Sequence, residues 1–238
     1  KDGALRTPRL GLLDYMTRAF DPMGGRDIVF IPVGINYDRT LEDRSQVLAL
    51  GTEAPRRGAG FAAATSLKFL LRNLLLMLQG RWYRFGYACV NFGSPLSMRA
   101  YSRERGIDLR TLPREERFLE VGKLAASLMR SVGRVVPVLP VSLVATALLR
   151  FPGGCCSELE LKAEALRVIE ELSGAGAHIY IPRADQDYAV TVGLRMLTLR
   201  KLVSENDGLY KPVPEEIPLL LYYANSIRHL FPETGVRG

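Results

Sequence analysis

The distribution of apolar residues changes along the chain, from short continuous runs in the first hundred residues to helical spacing in the rest. Residues 28–35 form an apolar run that predicts a strand, and residues 83–92 also predict a strand. A strand without polar alternation is typical of a parallel or mixed sheet that is covered on both faces. Pro32 has no N–H group for a strand ladder, so we expect this strand to lie at a sheet edge or to be bulged there.

The second half of the chain is predicted to be mainly α-helical. Residues 115–134 place apolar side chains at helical spacing, and residues 140–149 form an apolar helix. Ser157 and Glu160 have the spacing of a capping box, in which each side chain satisfies an N–H group at the start of a helix. The sequence Asn-Asp-Gly at residues 206–208 is typical of a tight turn between two short strands.

A charged, loop-like stretch between residues 99 and 114 separates these two parts. We therefore predict the α/β fold class, with an α/β domain over residues 1–98 and a mainly α-helical region over residues 99–238. At 238 residues, the chain is long enough to bury a hydrophobic core.

The formal charge of +7 is concentrated in one part of the chain. Residues 54–103 contain basic residues and no acidic residue, whereas the final hundred residues are close to neutral. Such an asymmetry indicates an anionic partner for the first half: a membrane surface, a phosphorylated substrate, an acidic carrier protein or nucleic acid. The near-neutral second half lacks the basic stripe that nucleic-acid binding needs, so we expect no nucleic-acid partner.

Residues 61–79 predict an amphipathic helix with a broad leucine face. Its apolar run is too short and too charged to span a membrane, which needs about 20 apolar residues. Two interpretations remain open, because the leucines can pack in the core or lie in an anionic membrane surface. In the second interpretation, the residues that face the lipid headgroups are Lys68, Arg72, Arg81 and Arg84.

The apolar run at residues 28–35 is followed closely by three residues that can carry chemistry, Tyr37, Asp38 and Arg39. In α/β sheets, ligands bind beyond the carboxyl ends of the strands, which is where these residues fall. A guanidinium can bind phosphate oxygens through two parallel hydrogen bonds, so Arg39 is a candidate phosphate ligand. The competing interpretation is a solvated pair between Asp38 and Arg39, which contributes little to stability.

Five segments of the chain carry a resemblance to one enzyme family. The longest is Phe-Ile-Pro-Val-Gly-Ile-Asn-Tyr-Asp-Arg at residues 30–39, and the others are Lys-Asp-Gly at residues 1–3, Val-Asn-Phe-Gly-Ser-Pro-Leu at residues 90–96, and residues 136–145 and 221–227. In their order along the chain they resemble segments of the glycerol-3-phosphate acyltransferases. Residues 30–39 are similar to the family's fourth sequence block, residues 1–3 to the end of its third block, and residues 90–96 to a later element.

The resemblance implies roles for five substrate-binding residues. Arg39 is expected to hold or position the phosphate of glycerol phosphate, Asp38 to orient Arg39, and Tyr37 to line the pocket. Lys1 stands where the third block has a basic residue near the phosphate, so it is expected to contact the phosphate as a point charge. Pro32, within the fourth block, completes the set.

The family's catalytic His-x-x-x-x-Asp motif, in which the histidine is the general base, does not occur in this sequence. The chain has two histidines, and His178 is followed five residues later by Arg183 while His229 is followed by Thr234. The resemblance therefore implies that the catalytic block lies upstream of Lys1. On this interpretation the chain is a fragment, its glycerolipid-acyltransferase α/β domain is incomplete, and it contains no catalytic residue.

By resemblance, the whole enzyme transfers an acyl group from acyl-CoA or acyl-carrier protein to glycerol-3-phosphate in phospholipid biosynthesis. It is expected to work as a peripheral protein on the cytoplasmic face of the cell membrane, with an anionic surface as a partner and with no cofactor or metal. Three cysteines, two of them adjacent, do not make a disulfide framework and agree with a reduced compartment. Two alternatives remain open: an acyltransferase for another polyol phosphate, and a non-catalytic module of the same fold that binds membranes or acidic proteins.

Overall fold

The structure, a computed structural model, describes residues 2–40, 43–44, 47, 86–152 and 154–231. The helices are α1 (Leu10–Thr17), α2 (Met98–Arg105), α3 (Arg114–Val135), α4 (Pro140–Leu149), α5 (Glu158–Gly174), α6 (Gln186–Leu199) and α7 (Ile217–Asn225). The strands are β1 (Val29–Phe30), β2 (Val33–Tyr37), β3 (Ala88–Phe92), β4 (Leu96–Ser97), β5 (Cys156–Ser157), β6 (Val203–Asn206) and β7 (Leu209–Pro212). Short 3₁₀ turns cover Pro182–Ala184, Pro214–Glu216 and Arg228–Leu230. The described part is therefore a mixed α/β fold.

Some of the predicted features lie outside the described residues. They are Lys1, Lys68, Arg72, Arg81 and Arg84, together with the helix expected at residues 61–79. Within the part of the chain that the structure describes, no helix combines the length and the apolar character that crossing a membrane requires.

The predicted strand at residues 28–35 is divided in two at Pro32. β1 pairs with β4 and β2 pairs with β3, so the chain changes partner strand at Ile31 and Pro32. The carbonyl of Pro32 still accepts a hydrogen bond from Gly93 N at 2.8 Å, but its ring nitrogen has no hydrogen to donate. The expected disturbance of the strand at the proline is confirmed.

The expectation of a parallel or mixed sheet covered on both faces is wrong for the described residues. The pairings between the named strands are antiparallel, and β2 and β3 expose one face. On that face Ile35 and Val90 are about half exposed, and Phe92 is 71% exposed. The sequence misled here because the exposed positions are more apolar than the covered ones, which include Asn36 and Asn91.

The main hydrophobic core is centred on α4, in which almost every residue is buried. Val144 and Leu148 of α4 belong to one buried cluster with residues from the three helices that pack around it. Those partners are Leu161 of α5, Leu197 of α6, and Leu220 and Tyr223 of α7. The amino-terminal end of α4 is therefore held in a fixed position, which matters for the site described below.

Two local sequence predictions are confirmed in the second half. Ser157 N donates to Glu160 Oε2 at 2.7 Å, and Glu160 N donates to Ser157 Oγ at 3.3 Å, which is the predicted capping box. β6 and β7 form a hairpin through Asp207 and Gly208, whose φ angles are 52° and 75°. Two positive φ angles are the geometry of the two-residue hairpin turn that Asn-Asp-Gly favours.

The covered face of the antiparallel pair β2 and β3 lies against the segment that joins α3 to α4. Asn36 Nδ2 donates to Pro137 O at 2.9 Å, and Asn91 Nδ2 donates to Val135 O at 3.1 Å. Asn36 Nδ2 also lies 3.3 Å from Ser226 Oγ, just beyond α7. Hydrogen bonds therefore join residues on both sides of the expected domain boundary, whose position near residue 99 stays a prediction.

Candidate functional site

The corner that follows β2 contains the residues that the sequence singled out. Strand alternation sends Tyr37 to the exposed side, where 47% of it is accessible, and Asp38 to the interior, where it has no accessible surface. Arg39 is half-buried at the point where the chain leaves the strand. Pro32 is buried at the opposite end of β2. Tyr37 is therefore the last residue of β2, Asp38 and Arg39 follow it directly, and Pro32 lies a strand length away.

The carboxylate of Asp38 accepts hydrogen bonds from two backbone segments and so holds this corner in place. Oδ1 accepts a hydrogen bond from Val141 N at 2.9 Å, and Oδ2 accepts one from Tyr87 N at 2.9 Å. Val141 is the second residue of α4, so Asp38 caps that helix from a distant part of the chain and places a negative charge at its positive end. That Asp38 also orients Arg39 stays a prediction.

Burial raises the pKa of Asp38 to about 6, although the hydrogen bonds from Val141 and Tyr87 favour the ionised form. When folding raises the pKa of an acid, the folded chain binds more protons than the unfolded chain. This holds at pH values between the pKa of the unfolded chain and the pKa of the folded chain. The contribution of Asp38 to stability is therefore least favourable above pH 6 and improves as the pH falls toward 4.

We expect Asp38 to raise the free energy of unfolding by about 1 kcal/mol as the pH falls from 7 to 5. The measurement is urea denaturation of the natural chain and of Asp38→Asn at several pH values. Asparagine does not titrate, so the difference between the two chains should shift in favour of the natural chain as the pH falls. A difference that is constant from pH 7 to pH 5 would contradict a raised pKa.

A cavity of about 210 Å³ opens beside Tyr37. Four segments that the sequence resemblance picked out converge on it. Gly3 comes from the first segment, Asn36 and Tyr37 from the second, Val136 from the third, and Tyr222, Tyr223 and Ser226 from the fourth. Thr40 and His229 lie in the remaining wall. The cavity is smaller than the pockets that hold drug-sized ligands, and it is the right scale for a small polyol.

The wall of this cavity includes hydroxyl and amide groups beside apolar side chains. Asn225 Nδ2 donates to Asp2 O at 3.0 Å, which holds the amino-terminal segment over the cavity. Ser226 Oγ donates to Tyr223 O at 2.7 Å and lies within reach of Asn36. Such groups can donate to and accept from the hydroxyls of a ligand. Lys1, whose phosphate contact the resemblance implies, lies outside the described residues, so that contact stays a prediction.

A buried polar cluster, formed by Asp43, Arg200 and Tyr223, supports the same corner. Arg200 Nη2 lies 2.6 Å from Asp43 Oδ2, and Arg200 Nη1 donates to Tyr223 Oη at 2.6 Å. The Tyr223 hydroxyl in turn donates to Asp43, and burial raises the pKa of that hydroxyl. Thr40 N donates to Tyr223 Oη at 3.4 Å, which ties the cluster to the cavity wall.

Sequence reasoning did not find this cluster. Its members are separated by up to 180 positions along the chain, and none stands in a local motif. An acidic residue soon after the strand and a basic residue at the end of a helix are ordinary features of solvated segments. Only the packing of α6 and α7 brings the three together.

Among the residues that the structure describes, no group of three histidine, cysteine, aspartate or glutamate side chains is placed to hold a metal ion.

Comparison with known proteins gives a consistent set of similarities. Residues 71–236 match the model of the family described as "Glycerol-3-phosphate acyltransferase C-terminal region". The chain is 34% identical over 149 residues to a Mycobacterium tuberculosis protein named "Putative acyltransferase plsB1", which covers 63% of the chain and 21% of that protein. It is 27% identical over 256 residues to a glycerol-3-phosphate acyltransferase of Pseudomonas entomophila, which covers 99% of the chain and 28% of that protein. The chain therefore spans between about a fifth and little more than a quarter of these relatives.

Proposed function

Because this chain belongs to the glycerol-3-phosphate acyltransferase C-terminal region family, we propose that it is part of a glycerol-3-phosphate 1-O-acyltransferase. The reaction moves an acyl group from acyl-CoA or acyl-carrier protein to the first hydroxyl of glycerol-3-phosphate, in phospholipid biosynthesis. The chain is proposed to supply the substrate-binding side of the site. The general base and its aspartate are proposed to come from a part of the whole protein that lies outside this sequence.

The observation that carries the proposal is the convergence of four family-like segments on one small cavity. The amino-terminal segment, the end of β2, Val136 and the segment around Ser226 all line it. The cavity suits a three-carbon polyol, and Arg39 follows the strand end beside it. In the proposed arrangement the glycerol part occupies the cavity, Tyr37 lines it, and the phosphate is held by Arg39 and Lys1.

The chemistry of the proposed reaction needs no redox step. The first hydroxyl of glycerol-3-phosphate attacks the thioester carbonyl, and a general base takes the hydroxyl proton. The carbon–sulfur bond breaks, and the thiol leaves with a proton. The residues of this chain act on binding and orientation, because holding the attacking hydroxyl close to the thioester replaces an unfavourable encounter in solution.

We also propose that the whole protein works on the cytoplasmic face of an anionic membrane as a peripheral protein. The support is the stretch of residues 54–103, which contains basic residues and no acidic ones. Lys68, Arg72, Arg81 and Arg84 are the proposed contacts with lipid headgroups. Each basic residue close to an anionic surface contributes about 1 kcal/mol to binding.

Replacing Arg39 with alanine in an acyltransferase that contains this chain is expected to raise KM for glycerol-3-phosphate by about tenfold to hundredfold. The reason is the loss of a charge-assisted hydrogen bond to phosphate, worth about 1.5 to 3 kcal/mol. KM for the acyl donor should change much less. Steady-state kinetics with each substrate varied in turn gives both values.

The matched control is Arg44→Ala, which removes a guanidinium close to Arg39 in sequence. Arg44 Nη1 already lies 2.5 Å from Glu216 Oε1, in an exposed ion pair. This variant should leave both KM values near those of the natural enzyme. Equal changes in the two KM values for Arg39→Ala, or none, would contradict the assignment of Arg39 to the phosphate. A lower KM for dihydroxyacetone phosphate than for glycerol-3-phosphate would favour another polyol phosphate as the substrate.

A further inference from the structure

Helix α1 is apolar on the side that faces away from the protein as well as on the side that packs. Its inner side carries Leu10 and Leu13, which pack against a buried cluster that includes residues of α3. Its other side carries Leu12, Tyr15 and Met16, which are 72%, 65% and 48% exposed. We call these three residues the α1 outer face, because their spacing of three and four positions places them on one side of the helix. A surface helix ordinarily has polar residues there, so this face is suited to an apolar partner.

Positive charges lie at both ends of the α1 outer face. Arg9 immediately precedes α1 and Arg18 immediately follows it, and both are exposed. The guanidinium carbon of Arg18 lies 4.7 Å from the centre of the Tyr15 ring, which places this charge directly beside the face. Arg6 adds a third exposed cation to the segment before the helix.

The acidic residues of this part of the chain do not cancel these charges. Between residues 4 and 26 the sequence has two acids, Asp14 and Asp21. Asp14 is buried on the inner side of α1, where Oδ1 accepts a hydrogen bond from Arg117 Nε at 3.0 Å. Asp21 Oδ1 lies 2.9 Å from Arg110 Nη2 in a second ion pair. The α1 outer face therefore combines apolar surface with net positive charge, and its complement is both apolar and anionic.

We propose that the α1 outer face lies in the surface of an anionic lipid bilayer. Its three apolar side chains enter the boundary of the acyl chains, and Arg9 and Arg18 lie among the lipid headgroups. The apolar side chains protrude from one short helix and do not line a groove, and a fluid bilayer accommodates protruding side chains without a complementary shape. This inference rests on the proposed function in one respect, because it adds a described surface to the proposed peripheral association, whose other proposed contacts lie at residues 68–84.

The place of α1 in the chain suits such a contact. Gly3 and Leu5 line the small cavity beside Tyr37, and α1 begins at Leu10. A bilayer in contact with α1 therefore lies only a few residues along the chain from the candidate substrate site. An acylated product partitions into a bilayer through its hydrocarbon chain, so this contact would place the proposed reaction close to the surface that receives its product.

The test is co-sedimentation of the 238-residue chain with phosphatidylglycerol vesicles. We expect binding that weakens as the salt concentration rises, and no comparable binding to phosphatidylcholine vesicles. Leu12→Ser with Met16→Ser should weaken binding by about tenfold or more, since two apolar side chains no longer leave water. The control is Leu159→Ser with Leu166→Ser, which removes two exposed leucines from one side of α5 and should retain the natural affinity. Equal affinities of the two double variants would overturn the proposal, and circular dichroism checks that each is folded.

A second pair of variants tests the charges at the ends of the face. Arg9→Glu with Arg18→Glu should weaken binding to phosphatidylglycerol vesicles by about tenfold or more. Arg167→Glu with Lys211→Glu makes the same change of net charge at two exposed positions on α5 and β7, and should weaken binding much less. Equal weakening in both would mean that net charge alone attracts the chain, and would overturn the assignment to α1.

Fluorescence quenching tests whether the face enters the bilayer. Met16→Trp is made in a chain in which Trp82, the single natural tryptophan, is replaced by phenylalanine. Lipids with brominated acyl chains should quench this tryptophan when vesicles are added. Leu159→Trp in the same background is the control and should not be quenched. An unquenched tryptophan at position 16 on a chain that is bound to vesicles would overturn the proposal.

Two comparisons separate this inference from its neighbours. If Lys68→Glu with Arg72→Glu abolishes vesicle binding while the α1 variants bind like the natural chain, the inference about α1 is wrong and the proposed peripheral association stands. If Leu12→Ser with Met16→Ser abolishes binding to acyl-carrier protein but leaves vesicle binding unchanged, the face binds an acidic protein and the bilayer assignment is overturned. Failure of the proposed function is read separately, because the kinetic effect of Arg39→Ala is measured in turnover.

Discussion

Replacing Arg200 with methionine is expected to lower the free energy of unfolding by about 3 to 5 kcal/mol. The side chain of Arg200 is 13% exposed, and the side chain of Asp43, its partner at 2.6 Å, is 3% exposed. Methionine keeps the apolar stem but leaves the Asp43 carboxylate buried without its cation. Removing one member of a buried ion pair costs more than the pair contributes, since the remaining charge has lost both water and partner. Urea denaturation measures the loss.

The control for this prediction is Arg44→Met. Arg44 lies next to Asp43, and its guanidinium pairs with Glu216 at the surface, where it is about half exposed. An exposed ion pair contributes about 0.2 to 1 kcal/mol, so this variant should lose no more than that. The double variant Arg200→Met with Asp43→Asn should recover part of the loss, because the unpaired charge is gone. Equal losses for Arg44→Met and Arg200→Met would show that the buried cluster is not a stabilising ion pair.

The cluster also has a consequence for the candidate site. Tyr223 bonds both to Arg200 and to Thr40 N, and Thr40 lines the small cavity beside Tyr37. On the other side of the corner, Asp38 bonds to Val141 at the start of α4. The short segment that contains Arg39 is therefore held at both ends. A site held by buried hydrogen bonds keeps its geometry before the substrate arrives, which reduces the cost of binding.

The parts of the fold that could be predicted from sequence are those determined by neighbouring residues. The capping box at Ser157 depends on residues three positions apart, and the β6–β7 hairpin depends on two turn residues. The break at Pro32 follows from the chemistry of one residue. The apolar helix α4 was predictable because a helix that is buried on all sides has apolar residues at almost every position.

The parts that could not be predicted depend on contacts between distant segments. Whether β2 pairs in parallel or antiparallel depends on which strand reaches it, and its partner β3 lies more than fifty residues away. The residues of the candidate site show the same division. Tyr37 and Arg39 were identified because they come soon after an apolar run. The hydrogen bond that Asp38 accepts from Val141 was not predictable in this way, because α4 lies about a hundred residues further along the chain.

Replacing Gly34 with alanine is expected to destabilise the chain by about 3 kcal/mol or more, at the upper end of the cost of overpacking. Gly34 is buried on β2, and a Cβ atom added to it would lie 2.3 Å from Val135 O and 2.6 Å from Val136 N. Both contacts are backbone atoms at the end of α3, so no side chain can rotate away. The strand cannot shift either, because Asn36 bonds to Pro137 on the same segment.

Gly11→Ala is the matched control, because an added Cβ at Gly11 has no neighbouring atom within 4 Å. Gly11 lies in the first turn of α1, and alanine is a better helix former than glycine, so this variant should be as stable as the natural chain or more stable. Thermal and urea denaturation of the two variants should therefore shift in opposite directions. If Gly34→Ala were neutral, β2 would not lie against the end of α3. The corner at Tyr37, Asp38 and Arg39 would then lose the backbone support on which the candidate site depends.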